Sequence, residues 1–171
     1  MRVITPTDDY TLSTKVNLDA LQNGKHISIF LAGTIDNGES ENWQSKLISI
    51  MCDSCLDYGR DTVIYNPRRD KWDPDAGCHE IQNQIAWEQE HLEKADLIVM
   101  NLLPDSKSPI SLMELGQYAS SGKLIVFCPN NFYRFDNVKF ICEKYYIPLI
   151  SYRNIDESDI FNELTYILDN K

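Results

Sequence analysis

The chain has 171 residues, 43% hydrophobic and 25% charged, enough for one domain with a core and too few for two ordinary ones. Its formal net charge of -10 argues against a general DNA-, RNA- or anionic-membrane-binding surface, though not against a small anion in a locally basic cleft. No apolar run approaches the ~20 residues that span a bilayer and no signal pattern opens the sequence; the five cysteines, odd in number and scattered, suit a reducing cytoplasm.

Residues 1–24 are polar and irregular and read as an extension ahead of a domain covering 25–171. His26 to Ala32 (HISIFLA) has the pattern of a buried strand, closed by a Gly-Thr turn, and Trp43 to Tyr58 has helical spacing. Within that helix Cys52 and Cys55 stand at CxxC spacing, but no second pair completes a zinc site, so packing is the reading and no metal is expected. Thr62 to Asn66 is the next strand, ended by Pro67, and a loop rich in Asp, Pro and Gly follows. His79 to Lys94 reads as a helix and Leu97 to Leu103 (LIVMNLL) as a strand buried on both faces. Ser108 and Pro109 then open a helix that runs to Gly122. Leu124 to Cys128, Asn137 to Tyr146, Ile147 to Ser151 and Asp156 to Leu168 supply a further strand and helix, twice over. Alternation of this kind predicts an α/β fold: a single flavodoxin- or Rossmann-like domain whose five-stranded, mainly parallel sheet carries helices on both faces.

In such folds ligands bind beyond the carboxyl ends of the strands, which directs the search for chemistry to four loops. In the helix opened by Ser108 and Pro109, Leu112, Leu115 and Ala119 mark the sheet-facing side, and Glu114 stands beside it. A solvated glutamate in a helix is the bland alternative. A second carboxylate weighs against it. Ile81, Ile85 and Leu92 form a stripe on the helix His79 to Lys94, and Glu88 completes it, a costly place for a charge that is neither paired nor used. Two carboxylates beside one cleft are the usual equipment for breaking a glycosidic bond.

The free N–H groups of Ile110 and Ser111, with Ser108 as N-cap, offer a seat for an anion. Asn66-Pro-Arg-Arg69 follows a strand directly, so Arg68 and Arg69 can reach the cleft mouth, where arginine suits phosphate or carboxylate; a solvated loop pair is the alternative. Trp72 can stack on a base or simply pack, and Arg134 and Asn137 lie between the fourth strand and its helix. Gly33 and Thr34 form a turn where backbone can approach a ligand, but no GxGxxG or GxxxxGK[ST] pattern calls for a dinucleotide or triphosphate, and no cofactor is expected.

Three segments together resemble the nucleoside 2-deoxyribosyltransferase family and its branch of 2′-deoxynucleotide N-hydrolases: Ile29 to Thr34 (IFLAGT), Asn66 to Arg69 (NPRR) and Ala95 to Lys123, within residues 26–140. The resemblance implies that Glu114 attacks C1′ and carries the sugar covalently, and that Glu88 takes the place of an aspartate that orients nucleophile and sugar. It implies that Ser108, where transferases carry an aspartate, contacts a 5′-phosphate as in the hydrolases. Asn137 matches an asparagine that reaches into a neighbouring subunit, with Arg134 beside it, so a homo-oligomer with sites completed across subunits is expected. Thr34 and Asp36 take a lining role.

The expected activity is cleavage of the N-glycosidic bond of a 2′-deoxynucleoside or its 5′-monophosphate, with transfer of deoxyribose to another base or to water. The substrate is a small molecule, with no nucleic acid or membrane as partner. A catalytically silent nucleotide-binding module and an N-glycohydrolase of a ribonucleotide or NAD remain open alternatives.

Overall fold

The computed structural model describes residues 1–6, 26–53, 61–69, 77–153 and 156–169. Its strands are β1 (Arg2–Ile4), β2 (His26–Gly33), β3 (Asp61–Tyr65), β4 (Leu97–Asn101), β5 (Leu124–Pro129) and β6 (Leu149–Tyr152). Its helices are α1 (Trp43–Asp53), α2 (Cys78–Lys94), α3 (Pro109–Tyr118), α4 (Phe135–Tyr145) and α5 (Glu157–Asp169), with a 3-10 turn at Asp36–Gly38. All strand pairs are parallel, in the order β1-β3-β2-β4-β5-β6.

The sheet therefore has six strands rather than the five expected. The additional one, β1, falls in the segment read as a polar extension: Arg2, Val3 and Ile4 pair with Val63, Ile64 and Tyr65 at the outer edge of β3. Three residues show no alternation long enough to mark a strand in sequence. Without β1, the remaining order is that of a flavodoxin-like sheet, with its topological switch point between β2 and β4.

The strand sequences explain why both faces are covered. In β4, every residue is buried, and successive side chains point to opposite sides. Ile98 and Met100 join Phe30, Ala32, Val126, Trp87, Leu115 and Val138 in a core under α2, α3 and α4. Leu97 and Val99 join Ile29, Leu31, Phe127, Leu47, Ile160 and Leu164 under α1 and α5. Each fully buried branched side chain contributes about 1.5–3 kcal/mol, so uncharged strands are a requirement of this layering. No helix among the described residues is long and apolar enough to cross a membrane. Cys52 is exposed near the end of α1, while Cys55 lies outside the described residues.

Candidate active site

At the switch point β2 and β4 come close enough that glycine is needed. Gly33 has φ 124°, and a Cβ there would stand 2.0 Å from the carbonyl oxygen of Asn101. The next N–H, of Thr34, donates to that same oxygen at 2.9 Å. The chain then turns through Asp36 and Asn37, both left-handed (φ 48° and 53°), a conformation that Asp and Asn tolerate. Arg68 holds this turn from below. Its guanidinium donates to the carbonyls of Gly38 (2.7 Å), Ser40 (2.6 Å) and Glu41 (3.1 Å), and the residue is buried. The planar fork that was expected to reach a ligand phosphate is instead spent on backbone oxygens.

Arg69, its neighbour, turns the other way. Its Nε donates to Gln84 Oε1 at 2.5 Å and its Nη1 to Glu80 Oε1 at 2.6 Å. The Gln84 amide nitrogen then donates to the Pro67 carbonyl at 3.0 Å and to Glu88 Oε1 at 2.6 Å. Both ends of the amide are thus fixed by their partners. The inward face of α2 is Gln84, Trp87, His91 and Leu92; Ile81 and Ile85, expected on the buried stripe, are more than half exposed. Gln84 and His91 can take the inward positions because their polar groups are satisfied there: His91 Nδ1 lies 2.7 Å from the Trp87 carbonyl and its ring stacks on that indole.

Glu114 lies on the adjoining helix α3, only 5% exposed, with Ser111, Leu115 and Tyr118 as the other buried residues. The solvated alternative is excluded for this residue. Burial pushes its carboxyl up to about 8, and the charge of Glu88 adds to the effect. Glu88 is raised too, first by burial, while the Gln84 hydrogen bond and the Arg69 charge pull it back. The two carboxyls are therefore coupled, and the pair keeps a proton more readily than either would alone.

Ser108 occupies the N-cap position of α3, but its hydroxyl makes no cap bond; its backbone is left-handed (φ 42°). Its carbonyl accepts from the N–H of Leu112 at 3.0 Å. The hydroxyl lies 2.6 Å from Thr34 Oγ1 and 2.9 Å from Ser106 Oγ, and Ser106 donates to Asp36 Oδ1 at 2.8 Å. Three serine and threonine hydroxyls thus run from the end of β2 to the loop after β4 and back to Asp36.

A cavity of about 740 Å³ opens between these elements, within the usual size of a small-molecule site. Glu114, Glu88, Ser108, Asp36, Gly33 and Arg69 all line it, joined by Phe30, Gln84, Ile81 and Ile85. Thr34 stands behind Ser108, Arg68 beneath the turn, and neither lines the cavity. Arg134 and Asn137 are exposed at the start of α4 and also lie off the lining, with the Arg134 guanidinium 5.4 Å from the centre of the Tyr133 ring. Trp72 falls outside the described residues. Gln84 and Ser106 escaped the sequence reading, because a glutamine in a helix and a serine in a loop carry no local signal of long-range contact. Among the described residues no cluster of His, Cys, Asp and Glu could hold a metal ion.

A doubly wound domain with one buried and one half-buried carboxyl beside its switch point has a layout compatible with chemistry at a glycosidic bond. The chain belongs to the nucleoside 2-deoxyribosyltransferase-like family, whose model matches residues 26–132. This membership supports chemistry at the N-glycosidic bond of a nucleoside-like small molecule. Among solved structures it is similar to the CMP N-glycosidase BcmB of Clostridium botulinum, at 16% sequence identity and a TM-score of 0.48, over 81% of this chain and 98% of that one. Comparison with curated protein sequences gives no match.

Proposed function

We propose that the protein cleaves the N-glycosidic bond of a 2′-deoxynucleoside or its 5′-monophosphate, with Glu114 as nucleophile. A Glu114 carboxylate oxygen bonds to C1′ as the C1′–N bond breaks; the bonding pair leaves with the base, which takes up a proton. A second base or a water then displaces the carboxylate from C1′, completing transfer or hydrolysis. Glu88 accompanies Glu114 at the sugar and handles protons there, while Glu114 sheds its own proton before it attacks. The observation that carries this reading is the burial of Glu114 in the cavity wall beside a second carboxyl. A buried carboxyl with so raised a proton affinity is costly to keep for packing alone.

Arg134 and Asn137, exposed and off the lining, are assigned to a neighbouring copy's cavity in a cytoplasmic homo-oligomer. The test is to incubate the chain with deoxynucleosides and deoxynucleotides, with and without acceptor bases, and separate the products. Base release abolished in Glu114→Ala is expected. Absence of release from every substrate, or equal release by the variant, would sink the proposal. Ribo-substrates run alongside read the 2′ preference, since a 2′-hydroxyl crowds the attacking carboxylate.

A further inference from the structure

We propose that Asp36, acting through Ser106, fixes the Ser108 hydroxyl as a hydrogen-bond acceptor and so selects substrates ending in an uncharged 5′-hydroxyl over those ending in a phosphate. The proposal rests on the glycosidic-bond reading above and concerns the same cavity. It replaces the expectation that Ser108 receives a phosphate.

The inference follows from counting protons, since each hydroxyl has one to give and two lone pairs to receive. Ser106 gives its proton to the Asp36 carboxylate, 2.8 Å away. Ser106 Oγ is then an acceptor for its other two partners, the N–H of Ser108 at 3.0 Å and the Ser108 hydroxyl at 2.9 Å. At the far end, Thr34 Oγ1 accepts the N–H of Leu103 at 2.9 Å and has its own proton free for Ser108, 2.6 Å away. Both ends point the protons the same way: Thr34 to Ser108, Ser108 to Ser106, Ser106 to Asp36. Ser108 is left with one lone pair and no proton for a ligand. A sugar hydroxyl can donate to that lone pair, whereas a phosphate oxygen meets it as a second acceptor. The left-handed backbone of Ser108 just before a proline, unfavourable for a serine, is held in place by these bonds.

The charges around the cavity point the same way. Among the described residues its lining carries the carboxyl groups of Asp36, Glu39 and Glu88 against one guanidinium, that of Arg69, and Glu114 adds its charge once ionised. That guanidinium is already engaged by Glu80 and Gln84. The N–H groups at the start of α3 offer an anion only a modest attraction in return.

The experiment measures calorimetric affinity and kcat/KM for each deoxynucleoside and its 5′-monophosphate, on the wild type, Asp36→Asn and Ser106→Ala. The wild type is expected to favour nucleosides by about tenfold or more in both readouts. The Asp36→Asn amide can donate to Ser106, which lets the protons run the other way and gives Ser108 one to offer a phosphate. It also removes one carboxylate, so the ratio should move toward the monophosphate by about tenfold. Ser106→Ala keeps the carboxylate but frees the Ser108 proton, and should move the ratio by roughly threefold, separating the relay from the charge. If one variant fails to fold, the other and the wild-type ratio still decide. A wild-type preference for monophosphates, or a ratio unmoved in the folded variants, overturns the proposal. Nucleosides bound preferentially without base release would leave the selection standing and refute the reaction. Base release without discrimination would do the reverse, and failure to bind either ligand overturns both.

Discussion

Replacing Glu114 by glutamine should make the protein more stable while abolishing catalysis. Burial and the Glu88 charge raise the Glu114 carboxyl from 4.5 to about 8. At pH 7 the folded chain keeps a proton that the unfolded chain releases. Two and a half pH steps at about 1.4 kcal/mol each set that cost at roughly 3 kcal/mol. The sign follows from the direction. Because the folded group binds protons more tightly, the contribution of Glu114 to stability is greatest below about pH 4.5, falls as pH rises toward about 8, and levels off above it. An amide at this position does not titrate, although it must find partners in the cavity, so a net gain of about 1–3 kcal/mol is expected at pH 7. For a domain of this size 2 kcal/mol corresponds to a rise in Tm of about 4–8 °C. Urea denaturation of wild type and Glu114→Gln at pH 5, 7 and 8.5 is the assay. The gap between them should widen with pH. Equal stabilities at pH 8.5, or parallel losses with pH in both proteins, would refute the assignment of a buried, raised carboxyl to Glu114.

Catalysis should show the opposite pH dependence: attack needs ionised Glu114, so kcat/KM should climb through about pH 8, and Glu88→Gln, by removing the neighbouring charge, should move that climb to lower pH in a pH–rate profile. Arg68→Ala removes the donors that hold the carbonyls of Gly38, Ser40 and Glu41; a loss of about 2–3 kcal/mol in chemical denaturation is expected, with KM raised more than kcat is lowered because the turn at Asp36 loosens. Gly33→Ala drives a Cβ to 2.0 Å from the Asn101 carbonyl at a positive φ, and should cost more than about 3 kcal/mol or abolish soluble expression, which a folding assay or a simple yield comparison reads.

Much of this architecture can be read in the sequence, for reasons tied to particular strands. LIVMN and LIVFC are uncharged because β4 and β5 are covered on both sides, and that leaves a mark no matter which helices do the covering. Strand β1 leaves none, being three residues at a sheet edge. Glu114 stands out in sequence as an isolated charge on an apolar helix, but that pattern alone reads as a solvated glutamate, and only the fold shows its burial. Glu88 is singled out in sequence on a faulty argument: the stripe of Ile81 and Ile85 runs along the cavity rather than the core, and the carboxylate lies beside the true buried face instead of on it. The proton order among Thr34, Ser106, Ser108 and Asp36 is invisible in sequence, since the partners stand up to 74 residues apart and only the fold brings them together. The opposite fates of Arg68 and Arg69 are hidden for the same reason. Adjacent in the chain, they are separated only by which carbonyls and side chains each finds.

The amide of Gln84 has a consequence for how tunable the carboxyl pair is. Set between Arg69 and Glu88, it takes a hydrogen bond from one and gives a hydrogen bond to the other, and so acts as a neutral spacer between opposite charges. Direct contact with a guanidinium would lock a carboxylate in its ionised form, typically lowering its pKa by about 1–3. With the amide interposed, Glu88 is oriented as firmly as in an ion pair, yet it keeps a raised proton affinity. The protein thereby gains the geometry of a salt bridge without its insulation against protons, which suits the proton-handling role proposed for Glu88.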